Sequence, residues 1–83
     1  MKAYTVELKG RAVKDLKGLP KRDAEKVLEK IERLKDGLKG DVKRLTNFTP
    51  EYRLRVGNFR VLFEVEGKIV VIYGIKQRKE SYR

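Results

Sequence analysis

From Tyr52 to Ile75 apolar and polar residues alternate with a period of two, interrupted by two glycine-containing turns, Gly57-Asn58 and Glu66-Gly67. Successive strand residues point to opposite faces, so this pattern demands half-buried strands, and a two-residue turn folds each strand back on the one before it. The stretch reads as an antiparallel meander of Tyr52–Val56, Phe59–Val65 and Lys68–Ile75. Registering the first hairpin on Gly57-Asn58 sets Val56 opposite Phe59, Arg55 opposite Arg60, Leu54 opposite Val61 and Arg53 opposite Leu62. Tyr52, Leu54, Val56, Phe59, Val61 and Phe63 then share one face, which must be covered by another layer.

The first half supplies that layer. Ala24, Val27, Leu28, Ile31, Leu34 and Leu38 recur at helical spacing with Lys, Arg and Glu between them, and Gly37 and Gly40 end the helix. Ala12, Val13, Leu16 and Leu19 mark a shorter helix that stops at Pro20. Before it, Tyr4, Val6 and Leu8 alternate with Thr5 and Glu7, as in a strand over Ala3–Leu8. Val42–Thr49 carries little pattern and reads as a connector. The order is β-α-α-β-β-β, an α+β fold with a two-helix hairpin on one face of an antiparallel sheet and a short basic tail. Its 83 residues are expected to form one domain, 1–83, with no room for a second core.

The other face of the sheet carries the chemistry. Arg53, Arg55 and Arg60 fall together there, and like charges directly opposite one another destabilise a ladder. Guanidinium forks match phosphate oxygens, so the cluster suits a phosphate clamp; solvent-facing charges that discourage aggregation are the plainer reading. Registering the second hairpin on Glu66-Gly67 sets Val65 opposite Lys68, Phe63 opposite Val70 and Val61 opposite Ile72 on the core side. On the arginine side Leu62 falls opposite Val71, Glu64 opposite Ile69 and Arg60 opposite Tyr73. A cation beside Tyr73 can present a stacking surface for a base, or Tyr73 can merely cover its neighbours. The tail adds Lys76, Arg78, Lys79, Tyr82 and Arg83.

Composition narrows the chemistry further. Twenty-two Lys and Arg against twelve Asp and Glu give a net charge of +10, which calls for a polyanionic partner such as nucleic acid or an acidic protein. The abundance of both signs with few thermolabile side chains also fits a thermostable surface, though that leaves the excess of one sign unexplained. Without cysteine there is neither a disulfide framework nor a thiolate nucleophile, and without histidine there is no imidazole base. No metal site and no small-molecule cofactor is expected. Met1–Lys9 lacks the apolar core of a signal peptide and nothing approaches a membrane span, so a cytoplasmic protein with no membrane partner is expected.

The run YRLRVGNFRVLFEVEGKIVVIYGIKQRKESYR, residues 52–83, resembles the C-terminal half of RelE/ParE-superfamily toxins. The Tyr-Arg-x-Arg strand, the tight turn, the Phe-Arg-Val strand and a basic ending that contains Tyr are typical of them. The helical hairpin, including Val13-Lys14-Asp15-Leu16, fits as well. The resemblance implies the toxin of a type II toxin–antitoxin system, RelE-like in fold, with an acidic RelB-like antitoxin as partner. RelE-like members are mRNA interferases, cutting mRNA in the ribosomal A site without a metal, as the substrate's own 2′-OH attacks the adjacent phosphate. The resemblance carries Arg53 and Arg55 onto the two basic strand positions and Arg60 onto the phosphate-stabilising arginine. Arg78 falls on a basic tail position, with Lys76 as the other candidate for it, and Tyr82 on the C-terminal tyrosine; Lys76, Lys79, Arg83 and Tyr73 are candidate RNA contacts. Many relatives have histidine where this chain has Gln77, and some have lysine at Arg53 and Arg55. Arginine hardly ever gives up its proton, which leaves Tyr82, a Lys76 of depressed pKa, or positioning and charge stabilisation alone. A ParE-like gyrase inhibitor and a non-catalytic RNA-binding domain are the alternatives.

Overall fold

The computed structural model describes residues 3–45, 47 and 49–77. The chain runs β1 (Thr5–Leu8), α1 (Gly10–Lys17), α2 (Lys21–Arg33), a 3-10 turn (Leu34–Asp36), β2 (Asp41–Arg44), β3 (Tyr52–Val56), β4 (Phe59–Glu66) and β5 (Ile69–Gln77). The strands form one five-stranded sheet in the order β1-β5-β4-β3-β2. All pairings are antiparallel except that of β1 with β5, which is parallel. No helix among the described residues is long and apolar enough to cross a membrane.

The expected core face is the observed one. Leu54, Val61, Phe63, Val70 and Ile72 are fully buried and Val56 and Phe59 nearly so, packed against Ala12 of α1, Val27 and Ile31 of α2, and Leu34. Leu16 borders the same cluster. Burying an aliphatic or aromatic side chain of this size contributes about 1.5–3 kcal/mol each, so this face dominates the stability of the fold. Tyr52 stacks on Phe63 across the β3–β4 ladder, with ring centroids 5.3 Å apart.

From residue 41 onward the strands depart from the sequence reading in three places, and earlier the long helix ends at Arg33 and runs into a 3-10 turn. The Val42–Thr49 connector overlaps β2, a four-residue edge strand from Asp41 to Arg44 paired with β3. Its single apolar residue, Val42, gives almost no alternation to detect. Second, the β4–β5 turn is Gly67-Lys68, with Glu66 paired to Ile69, rather than Glu66-Gly67. In both hairpins the first turn residue is a glycine at positive φ, 57° at Gly57 and 61° at Gly67, a conformation that costs a glutamate and not a glycine. Third, the β4–β5 ladder shifts register between Leu62 and Phe63, leaving Tyr73 as the extra residue of a bulge.

Candidate nucleic-acid interface

The β3–β4 register is the expected one, with Arg55 opposite Arg60 and Arg53 opposite Leu62. On β5 the pairing differs: the moved turn and the bulge set Arg60 opposite Lys76, and Leu62 opposite Gly74. The expected Arg60–Tyr73 pair is therefore corrected. The cation beside Tyr73 is Lys9, whose Nζ lies 6.0 Å from the ring centroid, and the Tyr73 hydroxyl reaches Glu66 Oε2 at 3.5 Å.

Read across the strands, the outer face is organised in rows. One row runs Asp41, Arg55, Arg60, Lys76 over β2, β3, β4 and β5. Adjacent strands lie roughly 5 Å apart, so the three cations span about 10 Å, the scale of a phosphate and its neighbours. The next row runs Lys43, Arg53, Leu62, Gly74.

Arg53 is not on open surface. It is 6% exposed, and its Nη1 donates to the Asp41 carbonyl oxygen at 3.2 Å while lying 3.5 Å from Asp41 Oδ1. Its Nε is buried without a partner. This guanidinium ties β2 to β3, which narrows the expected three-arginine surface to Arg55 and Arg60, joined by Lys76. Arg55 is half exposed with its Nε 4.0 Å from Asp41 Oδ2, and Arg60 and Lys76 are partly buried. Arg78, Lys79, Tyr82 and Arg83 lie outside the described residues. Among the described residues no group of three or more Asp, Glu, His or Cys is close enough to hold a metal ion.

Helix α1 contributes residues that sequence reasoning did not single out for the site. β1 pairs with β5 only as far as Ile72, so the next edge groups of β5 need other partners. Asp15 supplies one: its Oδ2 accepts the Ile75 N–H at 2.9 Å, and its Oδ1 accepts from Arg11 Nε at 3.3 Å. Nothing in the helical periodicity marks Asp15, because its partner lies sixty residues away and is a backbone amide.

Comparison with known proteins bears on the family and the fold. Residues 6–82 match the model of the ParE toxin of the parDE type II toxin–antitoxin system. A protein of Methanocaldococcus jannaschii designated RelE1 is 38% identical over 96% of each chain, and toxin RelE3 of the same organism is 33% identical over 84% of this chain and 85% of its own. The toxin-bearing RelB–RelE complex of Methanococcus jannaschii superposes with a TM-score of 0.75 at 30% identity, covering 90% of this chain and 93% of the other. The RelE–RelB complex of Pyrococcus horikoshii superposes with a TM-score of 0.74 at 31% identity, over 92% and 96%. The RelBE2 toxin–antitoxin complex of Mycobacterium tuberculosis gives 0.76 at 28% identity, over 92% and 99%. Matched by the family model over most of its length and sharing a fold with solved toxin–antitoxin complexes, the chain belongs to the RelE/ParE family of type II toxin–antitoxin toxins.

Proposed function

We propose that this toxin is a ribosome-dependent mRNA endonuclease that cuts mRNA in the ribosomal A site. The observation that carries the reading is the row Arg55, Arg60, Lys76 on one rigid face. In the proposed step the substrate's 2′-oxygen attacks the adjacent phosphorus and the bond to the 5′-oxygen breaks, leaving a cyclic phosphate and a free 5′-hydroxyl. Negative charge builds on the phosphoryl oxygens, and fixed guanidinium groups beside them lower the barrier without reorganising. Arg60 and Arg55 take that part, with Lys76 beside them. Arg53 holds the strand that bears Arg55. Arg78 and Tyr82 are assigned by resemblance, Tyr82 as a candidate base or acid, with Lys79, Arg83 and Tyr73 as further RNA contacts. By the family resemblance the reading is of a metal-independent enzyme acting in the cytoplasm, and the chain offers no histidine or cysteine as a metal ligand.

The partner in this reading is an acidic antitoxin. The solved relatives are toxin–antitoxin complexes, and a net charge of +10 favours fast, salt-sensitive association with an acidic chain. A gyrase-inhibiting activity is the second reading, favoured by the match to the ParE model. Primer extension on mRNA translated with and without the toxin separates the two. Discrete toxin-dependent stops support the endonuclease; an uncut message together with inhibited gyrase supercoiling supports the other.

A further inference from the structure

Beside the cation row the outer face dips. Leu62 stands opposite Gly74, one pair along from Arg60 and Lys76 on the same face. A cavity of about 190 Å³ opens there, walled by Pro50, Leu62, Tyr73 and Gly74, with Lys76 on one side and Arg11 and Asp15 of α1 on another. A side chain on Gly74 would begin to fill it: a Cβ there would lie 3.3 Å from Asp15 Oδ2. Asp15 is held in place by Ile75 N–H and Arg11 Nε, one on each oxygen, and its side chain is 22% exposed. A carboxylate has about four acceptor sites, so roughly two remain.

We propose that this cavity is a nucleobase subsite, taking the base of a nucleotide whose phosphate rests on Arg60 and Lys76. The inference rests on the endonuclease reading and deepens it. One pair-step on the same face is two residues, about 7 Å, which is the reach from a phosphate to its own base. Tyr73, Leu62 and Pro50 offer aromatic and apolar surface to the faces of a base. Asp15 offers acceptors to a donor edge, as a carboxylate does to the amino group of cytosine, so the subsite favours amino-bearing bases. The same carboxylate disfavours the acidic side chains of a protein partner, which argues for RNA as the occupant.

The test is to sequence the cut ends of a long transcript translated in a cell-free system with purified toxin, after confirming that each variant is folded by circular dichroism. Wild type should show a preference for amino-bearing bases at one position flanking the cut. Asp15→Asn keeps an oxygen for Ile75 N–H but presents an NH₂ group, so the preference at that position should move toward uracil. Tyr73→Leu should flatten the preference and lower cleavage about fivefold to 150-fold. Unchanged preferences in both variants, with wild type active, would overturn the subsite and leave the endonuclease reading standing. No cutting by wild type would instead remove the endonuclease reading and the subsite with it. Variants that lose affinity for the antitoxin while keeping the wild-type cleavage profile would assign the cavity to the protein partner, against the proposal.

Discussion

On the β2–β3 side of the outer face Arg53 is buried and bound to Asp41, whereas on the β4–β5 side Arg60 stands between Arg55 and Lys76. The two arginines lie on adjacent strands and face the same way, yet their surroundings divide the work. Asp41 supplies a carboxylate and a carbonyl oxygen to Nη1 of Arg53, which ties that guanidinium into the fold. Across β3, β4 and β5 the row places a cation opposite Arg60 on either side. Like charges facing one another on a ladder are unfavourable by themselves, and in the proposed function a substrate phosphate is what this row faces. Clustered arginines therefore do not form one functional unit by residue type alone; the neighbouring strand decides which of them serve the fold.

The largest effect expected from this comparison is on cleavage. Arg60→Ala should lower it by ~10²–10³, the loss typical of one group that stabilises transition-state charge. Its effect on thermal stability should be smaller than that of Arg53→Ala, because Arg60 is only partly buried whereas Arg53 is 6% exposed. Single-turnover cleavage and thermal unfolding of the same preparations measure both.

Next comes Arg53. Arg53→Ala should cost about 1.5–3 kcal/mol, the range for hydrogen bonds to charged groups, read as a lower melting temperature. Arg53→Met should recover much of that, since an apolar side chain of similar length fills the site and leaves no buried charge. A Met variant no more stable than the Ala variant would mean that Arg53 acts through its charge, and the division between the two sides would fail.

The smallest effect is at Asp41. It is more than half exposed, so Asp41→Asn should cost only about 0.2–1 kcal/mol. The loss should shrink further as salt rises. Chemical denaturation at low and high salt checks this; a salt-independent loss of several kcal/mol would contradict it.

The core was readable because it depends only on which face a residue occupies. Moving the β4–β5 turn by one position shifts the pairing by two residues, and an even shift keeps Phe63, Val70 and Ile72 on the inner face. The site was less readable because it depends on which residue stands opposite which. The bulge at Tyr73 adds one more residue, placing Ile75 in the core and Lys76 opposite Arg60. Alternation alone cannot reveal a bulge, although Gly74 marks where one fits. The β2 strand and the Asp15 contact were hidden for another reason. Each is specified by a partner far along the chain rather than by a local pattern.

The central claim is that the cation row on the β4–β5 side, and not the buried Arg53, carries RNA cleavage. Its most direct test is primer extension on one mRNA translated with equal concentrations of folded wild type, Arg60→Ala and Arg53→Met. The account predicts discrete stops with wild type, stops of similar strength with Arg53→Met, and stops ~10²–10³ weaker with Arg60→Ala. Full-strength stops from Arg60→Ala, or their loss in a well-folded Arg53→Met, would contradict it.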